Sequence, residues 1–245
     1  MEQNKYDDPS FFERYSRMPR SREGLGAAGE WPVLRAMLPD LKGKRVLDLG
    51  CGYGWHCRYA AEQGAVQVTG VDLSARMLEQ ARSYTAYTQI QYLRQSIEAV
   101  EFPPASFDVI ISSLALHYIA DYEGVCKRMF TMLSAGGRLV FSAEHPVFTA
   151  RAAQDWFYDA AGKRLHWPVD QYQEEGLRTT HFLGHEVVKY HRTMAAWINT
   201  LLDAGFGIRR VAEPQPAPEL LLQYPEMQDE TRRPLFILIA ADKPE

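Results

Sequence analysis

A carboxylate and three glycines stand close together at residues 48–54, in the order D-x-G-x-G-x-G. Asp48 lies in a short apolar run typical of a buried strand, and a segment of helical composition follows the glycines. Gly50, Gly52 and Gly54 remove three β-carbons where a ligand would sit, so the backbone can turn sharply and its N–H groups can approach a bound molecule. This strand, turn and helix predict a nucleoside-binding site.

The spacing of the glycines indicates which kind of nucleoside is bound. A dinucleotide-binding turn requires G-x-G-x-x-G, whose third glycine brings the helix close to the strand while the helix N-terminus faces a pyrophosphate. This chain lacks that spacing, and the Asp48 carboxylate before the first glycine would repel a pyrophosphate. The same carboxylate suits a ligand that carries an ammonium group. The turn therefore favours a cationic nucleoside over a nicotinamide dinucleotide.

Two further strand ends carry polar groups that suit a nucleoside. A second strand, predicted over residues 66–71, ends at Asp72, whose carboxylate can accept hydrogen bonds from both ribose hydroxyls. A third strand, predicted over residues 91–94, ends in the run Gln95-Ser96-Ile97-Glu98, which can flank an adenine ring. Because the carboxyl ends of parallel strands share one edge of a sheet, we expect the ammonium, ribose and base contacts to lie side by side.

The elements that must position these residues alternate between strand and helix through the first half of the chain. Two helices, near residues 11–18 and 29–38, precede the first strand. Further strands are predicted over 107–113, 138–143, 208–212 and 235–241, and helices over 55–63, 74–84, 121–133 and 193–204. Right-handed crossovers between such strands build an α/β fold, a doubly wound and mostly parallel sheet with its crevice where the strand order reverses.

The alternation breaks between residues 144 and 191. A stretch of this length without a strong period is usually a functional cover or a disordered loop. Its aromatic residues are Trp156, Phe157, Tyr158, Trp167, Tyr172 and Phe182. This content argues against disorder, and we interpret residues 144–191 as a lid inserted over the crevice.

Taken together, these motifs resemble class I S-adenosylmethionine-dependent methyltransferases, in particular the small-molecule branch that includes the ubiquinone-pathway and biotin-pathway enzymes. The resemblance covers residues 40–145 and the last strand pair. It also rests on the strand Phe107-Asp108-Val109-Ile110-Ile111-Ser112-Ser113, the turn Leu133-Ser134-Ala135-Gly136-Gly137 and the sequence Ala115-Leu116-His117-Tyr118. It implies a seven-stranded sheet with an antiparallel terminal hairpin, and an enzyme whose cofactor is S-adenosyl-L-methionine.

The resemblance also implies which residues bind the cofactor. Those at the strand ends are Asp48, Gly50, Cys51, Gly52, Asp72, Leu73, Met77, Gln95, Ser96, Ile97, Glu98 and Ser113. In similar enzymes the N-terminal segment folds over the cofactor, which adds Tyr15 and Arg20. The alternative interpretation of that segment is a surface helix with a hydrophobic stripe.

Candidate catalytic residues follow from the chemistry that the resemblance implies. Methyl transfer from a sulfonium is an in-line displacement that needs alignment, exclusion of water and, for a hydroxyl, carbon acid or ammonium acceptor, a general base. Three histidines are the candidate bases or acceptor contacts: His145 after the fifth strand, His117 after the fourth and His191 after the lid. Each has a structural alternative, which is a turn contact for His145, packing for His117 and a solvated helix start for His191.

One pair of lid histidines has a spacing found in metal sites. His181 and His185 are four residues apart, which places two ligands on one face of a helix. The residues around them favour a strand, where positions four apart cannot hold one ion without other ligands. We expect no metal site.

The composition limits the class of protein. The 245 residues are 46% hydrophobic, carry a net charge of −4 and have a pI near 6.0, which gives no basic field for nucleic-acid phosphates. The apolar run 235–241 is far too short to span a membrane, and residues 1–5 lack a signal pattern. Three cysteines, an odd number without a C-x-x-C pair, favour a reducing cytoplasm.

A chain of this length can form one full-sized core. We expect a single methyltransferase domain over residues 1–245, with an N-terminal helical cap (1–40), a cofactor-binding core (41–143), the lid (144–191) and a C-terminal helix with a strand hairpin (192–245). The predicted function is methylation of a small-molecule acceptor in the cytoplasm by a monomer or homodimer, with no nucleic-acid or membrane partner. The alternatives are a non-catalytic regulatory protein that binds the cofactor, and a nicotinamide-dependent oxidoreductase.

Overall fold

The protein is described here by a computed structural model that covers residues 4–245, apart from the side chain of Glu226. The strands are β1 Arg45–Leu49, β2 Gln67–Asp72, β3 Ile90–Arg94, β4 Phe107–Ser113, β5 Leu133–Glu144, β6 Phe157–Tyr158, β7 Arg164–His166, β8 Gly176–Phe182, β9 His185–His191, β10 Gly207–Ala212 and β11 Phe236–Asp242. The helices are α1 Pro9–Ser16, α2 Pro19–Glu23, α3 Trp31–Met37, α4 Trp55–Glu62, α5 Ala75–Tyr84, α6 Tyr122–Met132, α7 Pro146–Thr149, α8 Met194–Asp203 and α9 Pro218–Gln223. Short 3₁₀ helices cover Lys5–Asp7, Gly24–Ala27, Leu116–Tyr118 and Pro225–Arg232.

Seven strands form the central sheet in the order β10-β11-β5-β4-β1-β2-β3. Strands β1 to β5 pair in parallel, whereas β11 is antiparallel to both β5 and β10. The predicted α/β fold, a doubly wound and mostly parallel sheet with an antiparallel terminal pair, is therefore confirmed. The order reverses between β1 and β4, and this places the crevice at their carboxyl ends.

The apolar pattern explains why the sheet forms. Val46, Leu47 and Leu49 on β1 are fully buried because helices cover both faces of the sheet. Some of the helices begin at side-chain caps: Ser74 accepts a hydrogen bond from the backbone N–H of Met77 at the start of α5 (3.1 Å). This cap fixes where α5 starts relative to β2.

The lid segment, residues 144–191, contains more regular structure than its sequence pattern suggests. It holds α7 and two antiparallel hairpins, β6 with β7 and β8 with β9. Strand β5 is also longer than predicted, since it begins at Leu133 and runs through the Gly136-Gly137 pair that was expected to precede it. The stretch between β10 and β11 is rich in proline (Pro214, Pro216, Pro218 and Pro225) and contains α9, a helix that the sequence did not indicate. Residues 1–3 of the predicted N-terminal cap lie outside the described part of the chain.

Candidate functional site

The glycine turn after β1 lies where the strand order of the sheet reverses. The space around its three glycines differs from one to the next. A β-carbon at Gly50 would lie 2.4 Å from the Ala115 β-carbon, and one at Gly54 would lie 2.2 Å from the Tyr92 hydroxyl oxygen. At Gly52, with φ of +51°, no atom of the residues that the structure describes lies within 4 Å of such a β-carbon. Gly50 and Gly54 therefore allow close internal packing, and only Gly52 leaves open space of the kind expected beside a ligand.

Asp48 lies beneath this turn and is enclosed by the protein. It is completely buried, and the Cys57 thiol donates a hydrogen bond to its Oδ2 (3.2 Å), while Oδ1 has no hydrogen-bond partner among the described residues. Burial raises the pKa of Asp48 to about 7. The sequence predicts that this carboxylate faces the ligand directly. In the structure the glycine turn folds over the carboxylate and covers it.

Asp72, at the end of β2, borders the cavity and holds the glycine turn. Its Oδ2 accepts a hydrogen bond from the Gly52 N–H and its Oδ1 from the Ser74 N–H, each at 2.9 Å. Burial raises its pKa, although these hydrogen bonds oppose the rise. One carboxylate thus ties the turn after β1 to the start of α5.

The four residues after β3, 95–98, do not all face the same space. Ser96, Ile97 and Glu98 border the cavity, whereas the Gln95 side chain donates to the Ala99 carbonyl oxygen (2.9 Å) and does not. Glu98 Oε1 accepts hydrogen bonds from the N–H groups of residues 120 and 121, at 2.9 Å and 3.0 Å. Glu98 therefore joins the β3 end to the segment after β4.

The N-terminal segment covers the other side of this space. Tyr15 and Arg20 border the cavity, and Arg20 forms an ion pair with the buried Glu30. The Tyr6 ring packs edge to face against Tyr15 (centroids 5.1 Å apart) and Tyr118 (6.5 Å). The sequence left open whether this segment is a surface helix, and the structure folds it over the strand ends.

The β8–β9 hairpin of the lid segment docks on the N-terminal helix α1. Arg14 donates a hydrogen bond to the Leu183 carbonyl oxygen (3.0 Å), and Ser10 Oγ lies 2.9 Å from His185 Nε2. Phe11 packs against the Phe182 ring, with centroids 5.9 Å apart. These contacts close the cavity between the lid segment and the N-terminal segment.

A buried polar cluster borders the cavity on the lid side. Lys189 Nζ forms an ion pair with Glu144 Oε1 at 2.5 Å, and Gln154 donates to Glu144 Oε2 at 3.0 Å. Burial opposes ionisation of Glu144, but His117 and Lys189 and the hydrogen bonds hold the pKa of its carboxyl below its ordinary value. The Glu144 backbone N–H donates to His117 Nδ1 (3.3 Å).

His117 borders the cavity with one ring nitrogen uncommitted. Burial lowers its pKa to about 4, so the ring is neutral at physiological pH. Since Nδ1 accepts from the Glu144 N–H, the proton of the neutral ring belongs on Nε2, for which the described residues provide no partner. In this tautomer Nε2 of His117 is a hydrogen-bond donor, and the ring does not have a free basic nitrogen.

The structure places the other two candidate histidines, His145 and His191, outside the lining of this cavity. His145 Nδ1 accepts from the Val147 N–H (3.0 Å) as the N-cap of α7, and its Nε2 lies 2.8 Å from Glu213 Oε1. His191 is fully buried between Thr149 Oγ1 (2.8 Å) and the Tyr172 carbonyl oxygen (2.9 Å). Both ring nitrogens of each histidine are committed to structural partners, which leaves none of them free for a methyl acceptor.

The lid histidines His181 and His185 do not act together. His181 borders the cavity, whereas His185 contacts Ser10. No group of three or more candidate metal ligands lies together in the part of the chain that is described.

One cavity of about 870 Å³ joins these groups. Eleven residues predicted from the sequence as cofactor contacts border it: Tyr15, Arg20, Gly50, Gly52, Asp72, Leu73, Met77, Ser96, Ile97, Glu98 and Ser113. The three that do not are Asp48, Cys51 and Gln95. Its volume lies in the upper part of the range of about 300 to 1,000 Å³ found for small-molecule sites.

The chain is similar to known proteins in sequence and in fold. A family model described as "Methyltransferase domain" matches residues 47–141. A solved S-adenosylmethionine-dependent methyltransferase from Mesorhizobium loti is 46% identical, covers 89% of this chain and all of its own, and superposes with a TM-score of 0.84. The chain belongs to the S-adenosylmethionine-dependent methyltransferase family.

Two further relatives agree with this assignment. A Listeria monocytogenes structure, assigned to the same class, is 55% identical over 91% of this methyltransferase and 100% of its own chain, with a TM-score of 0.86. The malonyl-[acyl-carrier protein] O-methyltransferase of Enterobacter lignolyticus is 38% identical over 110 residues, which are 45% of this chain and 43% of that protein. The likeness to this named enzyme thus covers less than half of either chain.

The cofactor of this methyltransferase is S-adenosyl-L-methionine, and the residues present fit it. The open space at Gly52 and the Asp72 carboxylate lie together at the strand ends, beside apolar Met77 and Ile97. Such a set combines a backbone cradle, a hydrogen-bond acceptor for hydroxyls and an apolar wall for a base.

Sequence reasoning missed Lys189 and Gln154 of the polar cluster, and Arg233 before β11, all of which border the cavity. The sequence contained one signal that could have indicated Lys189. In β9 the buried positions alternate as Val187, Lys189 and His191, so a lysine occupies a position that the strand period directs inward. A lysine at such a position needs a buried partner, and here that partner is Glu144.

None of the described helices is both long and apolar enough to cross a membrane.

Proposed function

We propose that this methyltransferase transfers the methyl group to a small-molecule acceptor enclosed between the strand ends and the lid segment, within a single cytoplasmic domain. One observation carries the proposal: the cavity that begins at Gly52 and Asp72 continues to Lys189 and Gln154 of the lid segment. The contacts of the β8–β9 hairpin with α1 cover this space. A covered cavity of about 870 Å³ suits a metabolite better than a macromolecular strand.

The bound cofactor supplies a sulfonium methyl group for in-line displacement. The protein contributes alignment, for which oriented approach is worth about 7 to 11 kcal/mol, together with exclusion of water. We assign the ribose hydroxyls to Asp72 and the adenine surroundings to Ser96 and Ile97. Their positions at neighbouring strand ends support these roles.

We assign His117 to acceptor binding. Its neutral ring, with Nε2–H free of described partners, can donate a hydrogen bond to an oxygen of the acceptor. Lys189, Glu144 and Gln154 satisfy one another, so they form a fixed polar wall rather than a reactive group. His117 is therefore a positioning contact in this proposal, and the chain need not use it as a base.

Labelled cofactor tests the proposal directly. The protein is incubated with [methyl-³H]S-adenosylmethionine and a cell extract that has been separated into small-molecule, protein and RNA fractions. We expect label to enter the small-molecule fraction, with S-adenosylhomocysteine released in equal amount. Label that enters only the protein or RNA fraction would contradict a small-molecule acceptor. The Asp72→Asn variant, with weakened cofactor binding, serves as the background control.

A further inference from the structure

Arg233 borders the lid side of the cavity inside a set of aromatic rings. Its guanidinium carbon lies 4.5 Å from the ring centroid of Trp167, 4.8 Å from that of Phe148 and 5.8 Å from that of Trp156. We call these three rings the aromatic cluster. Phe148 and Trp167 stack at 5.1 Å, and Trp167 Nε1 donates to the Val147 carbonyl oxygen (3.0 Å). The cluster therefore holds the guanidinium by its faces and leaves its N–H edge for other partners.

Two nitrogens of the Arg233 guanidinium lack acceptors within the described part of the chain. Both Nε and Nη1 are buried without a hydrogen-bond partner among the described residues, and no described carboxylate lies within 4.0 Å. A buried donor without an acceptor is costly, more so when it is charged. The contrast is Arg20, which borders the same cavity and forms an ion pair with Glu30.

The acidic residues near Arg233 do not meet this need. Glu144 is committed to Lys189 and Gln154. Glu230 borders the cavity but lies beyond ion-pair distance, and burial raises its pKa, which disfavours the anion. An arginine in a partly dry cavity, held by ring faces and without an acceptor, is suited to an anion that arrives with a ligand.

We propose that the methyl acceptor carries an anionic oxygen group, a carboxylate or a phosphate, and that Arg233 binds this group inside the aromatic cluster. This inference rests on the proposed function, since it assigns the chemistry of the small molecule on the lid side of the cavity. Guanidinium groups bind both anions with paired N–H···O bonds, so the shared feature is the negatively charged oxygen pair.

Binding of simple probes tests the anion site without knowledge of the acceptor. Calorimetric titrations are made with the protein saturated by S-adenosylhomocysteine, using benzoate, phenyl phosphate and the neutral benzamide. We expect at least one anion to bind about 10- to 100-fold more tightly than benzamide, and the better of the two identifies the anion class. Equal affinity for all three, including no detectable binding of any, would overturn the proposal.

Substitutions then locate the effect at Arg233. Arg233→Gln should abolish the preference for the anion, and Arg233→Lys should retain part of it because the charge remains without the planar fork. The matched control is Arg209→Gln, since Arg209 is exposed on β10 and its guanidinium pairs with Asp242 (3.6 Å) away from the aromatic cluster. A preference that survives in Arg233→Gln would overturn the proposal. So would a loss of S-adenosylhomocysteine affinity in that variant, because it would assign Arg233 to the cofactor.

Methyl transfer separates this inference from the proposed function. The small-molecule fraction that accepts label is passed over an anion exchanger at neutral pH. We expect the acceptor in the retained material, with KM for it raised about 10- to 100-fold in Arg233→Gln. An acceptor in the unretained material would overturn the anion inference while the proposed function stands. If no small molecule accepts label, the proposed function fails, and the probe titrations still decide whether Arg233 forms an anion site.

Discussion

The Asp7 carboxylate accepts a hydrogen bond of 2.6 Å from the Ser74 hydroxyl, which ties the N-terminal segment to the first turn of α5. It also accepts from the N–H groups of Ala75 (3.3 Å) and Arg76 (3.1 Å). A residue far from α5 in sequence thus acts as an additional cap for this helix. Because Ser74 is also bonded to Asp72, the cap and the cofactor side of the cavity are mechanically linked.

Asp7→Asn should therefore destabilise the protein at neutral pH by about 0.5 to 2 kcal/mol, the range for loss of a helix cap. Partial burial opposes ionisation of Asp7, but the hydrogen bonds from Ser74, Arg76 and Asn4 lower its pKa below 3.8. A depressed folded-state pKa stabilises the fold above pH 3.8, and this stabilisation is lost as the pH falls through the folded-state pKa. Urea unfolding across acidic pH should show that the difference in free energy of unfolding between wild type and variant shrinks below pH 3.8.

The matched control for Asp7→Asn is Asp203→Asn, because Asp203 is exposed at the end of α8. A wild-type free energy of unfolding in Asp7→Asn at neutral pH would refute the capping role.

Asp72→Ala should weaken binding of S-adenosylmethionine by about 1.5 to 3 kcal/mol, or roughly 10- to 150-fold, because hydrogen bonds to a charged carboxylate are lost. Isothermal titration measures the change. Asp72 also accepts from the Gly52 and Ser74 N–H groups, so unfolding in urea is measured in parallel to separate loss of the ligand contact from loosening of the turn. Unchanged affinity in a folded variant would remove the ribose assignment.

His117→Ala should reduce kcat/KM for the acceptor by about two- to tenfold through KM, the range for one neutral hydrogen bond, with cofactor affinity retained. His117→Gln, which keeps a donor, should recover part of the loss. Burial lowers the pKa of His117 to about 4 from 6.5, so the wild-type pH profile should show no His117 titration near 6.5 and a decline only toward pH 4. A His117-dependent inflection near 6.5 would contradict the neutral, buried ring.

His145→Ala provides the contrasting case. Its ring caps α7 and contacts Glu213, so its removal should cost about 0.5 to 2 kcal/mol of stability with kcat/KM for the acceptor unchanged. A direct acceptor contact predicts the reverse, which is lost turnover at wild-type stability. Urea unfolding and acceptor kinetics on the same preparation distinguish the two.

Lys189→Met should cost about 3 to 5 kcal/mol, because it leaves the Glu144 carboxylate buried without its counter-charge. The double variant Lys189→Met with Glu144→Gln should be more stable than Lys189→Met alone, since no unpaired charge remains. Urea unfolding of the wild type, both single variants and the double variant gives the coupling energy. Additive losses would mean that the two side chains do not interact.

Local features of the sequence were enough to predict the sheet and most of the cofactor side of the cavity. Each signal spans only a few residues: the apolar run around Val46, the glycine turn, and Asp72 at the end of β2. The spacing of these residues is therefore enough to place the strand, the turn and the edge of the sheet at which a ligand binds. The family resemblance added the antiparallel strand pair β10 and β11, which the structure confirms. The direction of Asp48 was not predictable in the same way, because the turn that covers it depends on packing of Gly50 against Ala115.

The acceptor side was decided by tertiary structure. Lys189 pairs with Glu144, which lies 45 residues earlier in the chain. Arg233 contacts the rings of Phe148 and Trp167 in the lid segment. His145 carries the same imidazole as His117, yet Glu213 and the start of α7 commit it to structure while His117 keeps a free nitrogen at the cavity. The sequence by itself determined which strand ends would border the cavity, because β-strand period and turn chemistry are local. Which lid side chains face the acceptor depends on long-range contacts that no local pattern records, and only the folded chain decides it.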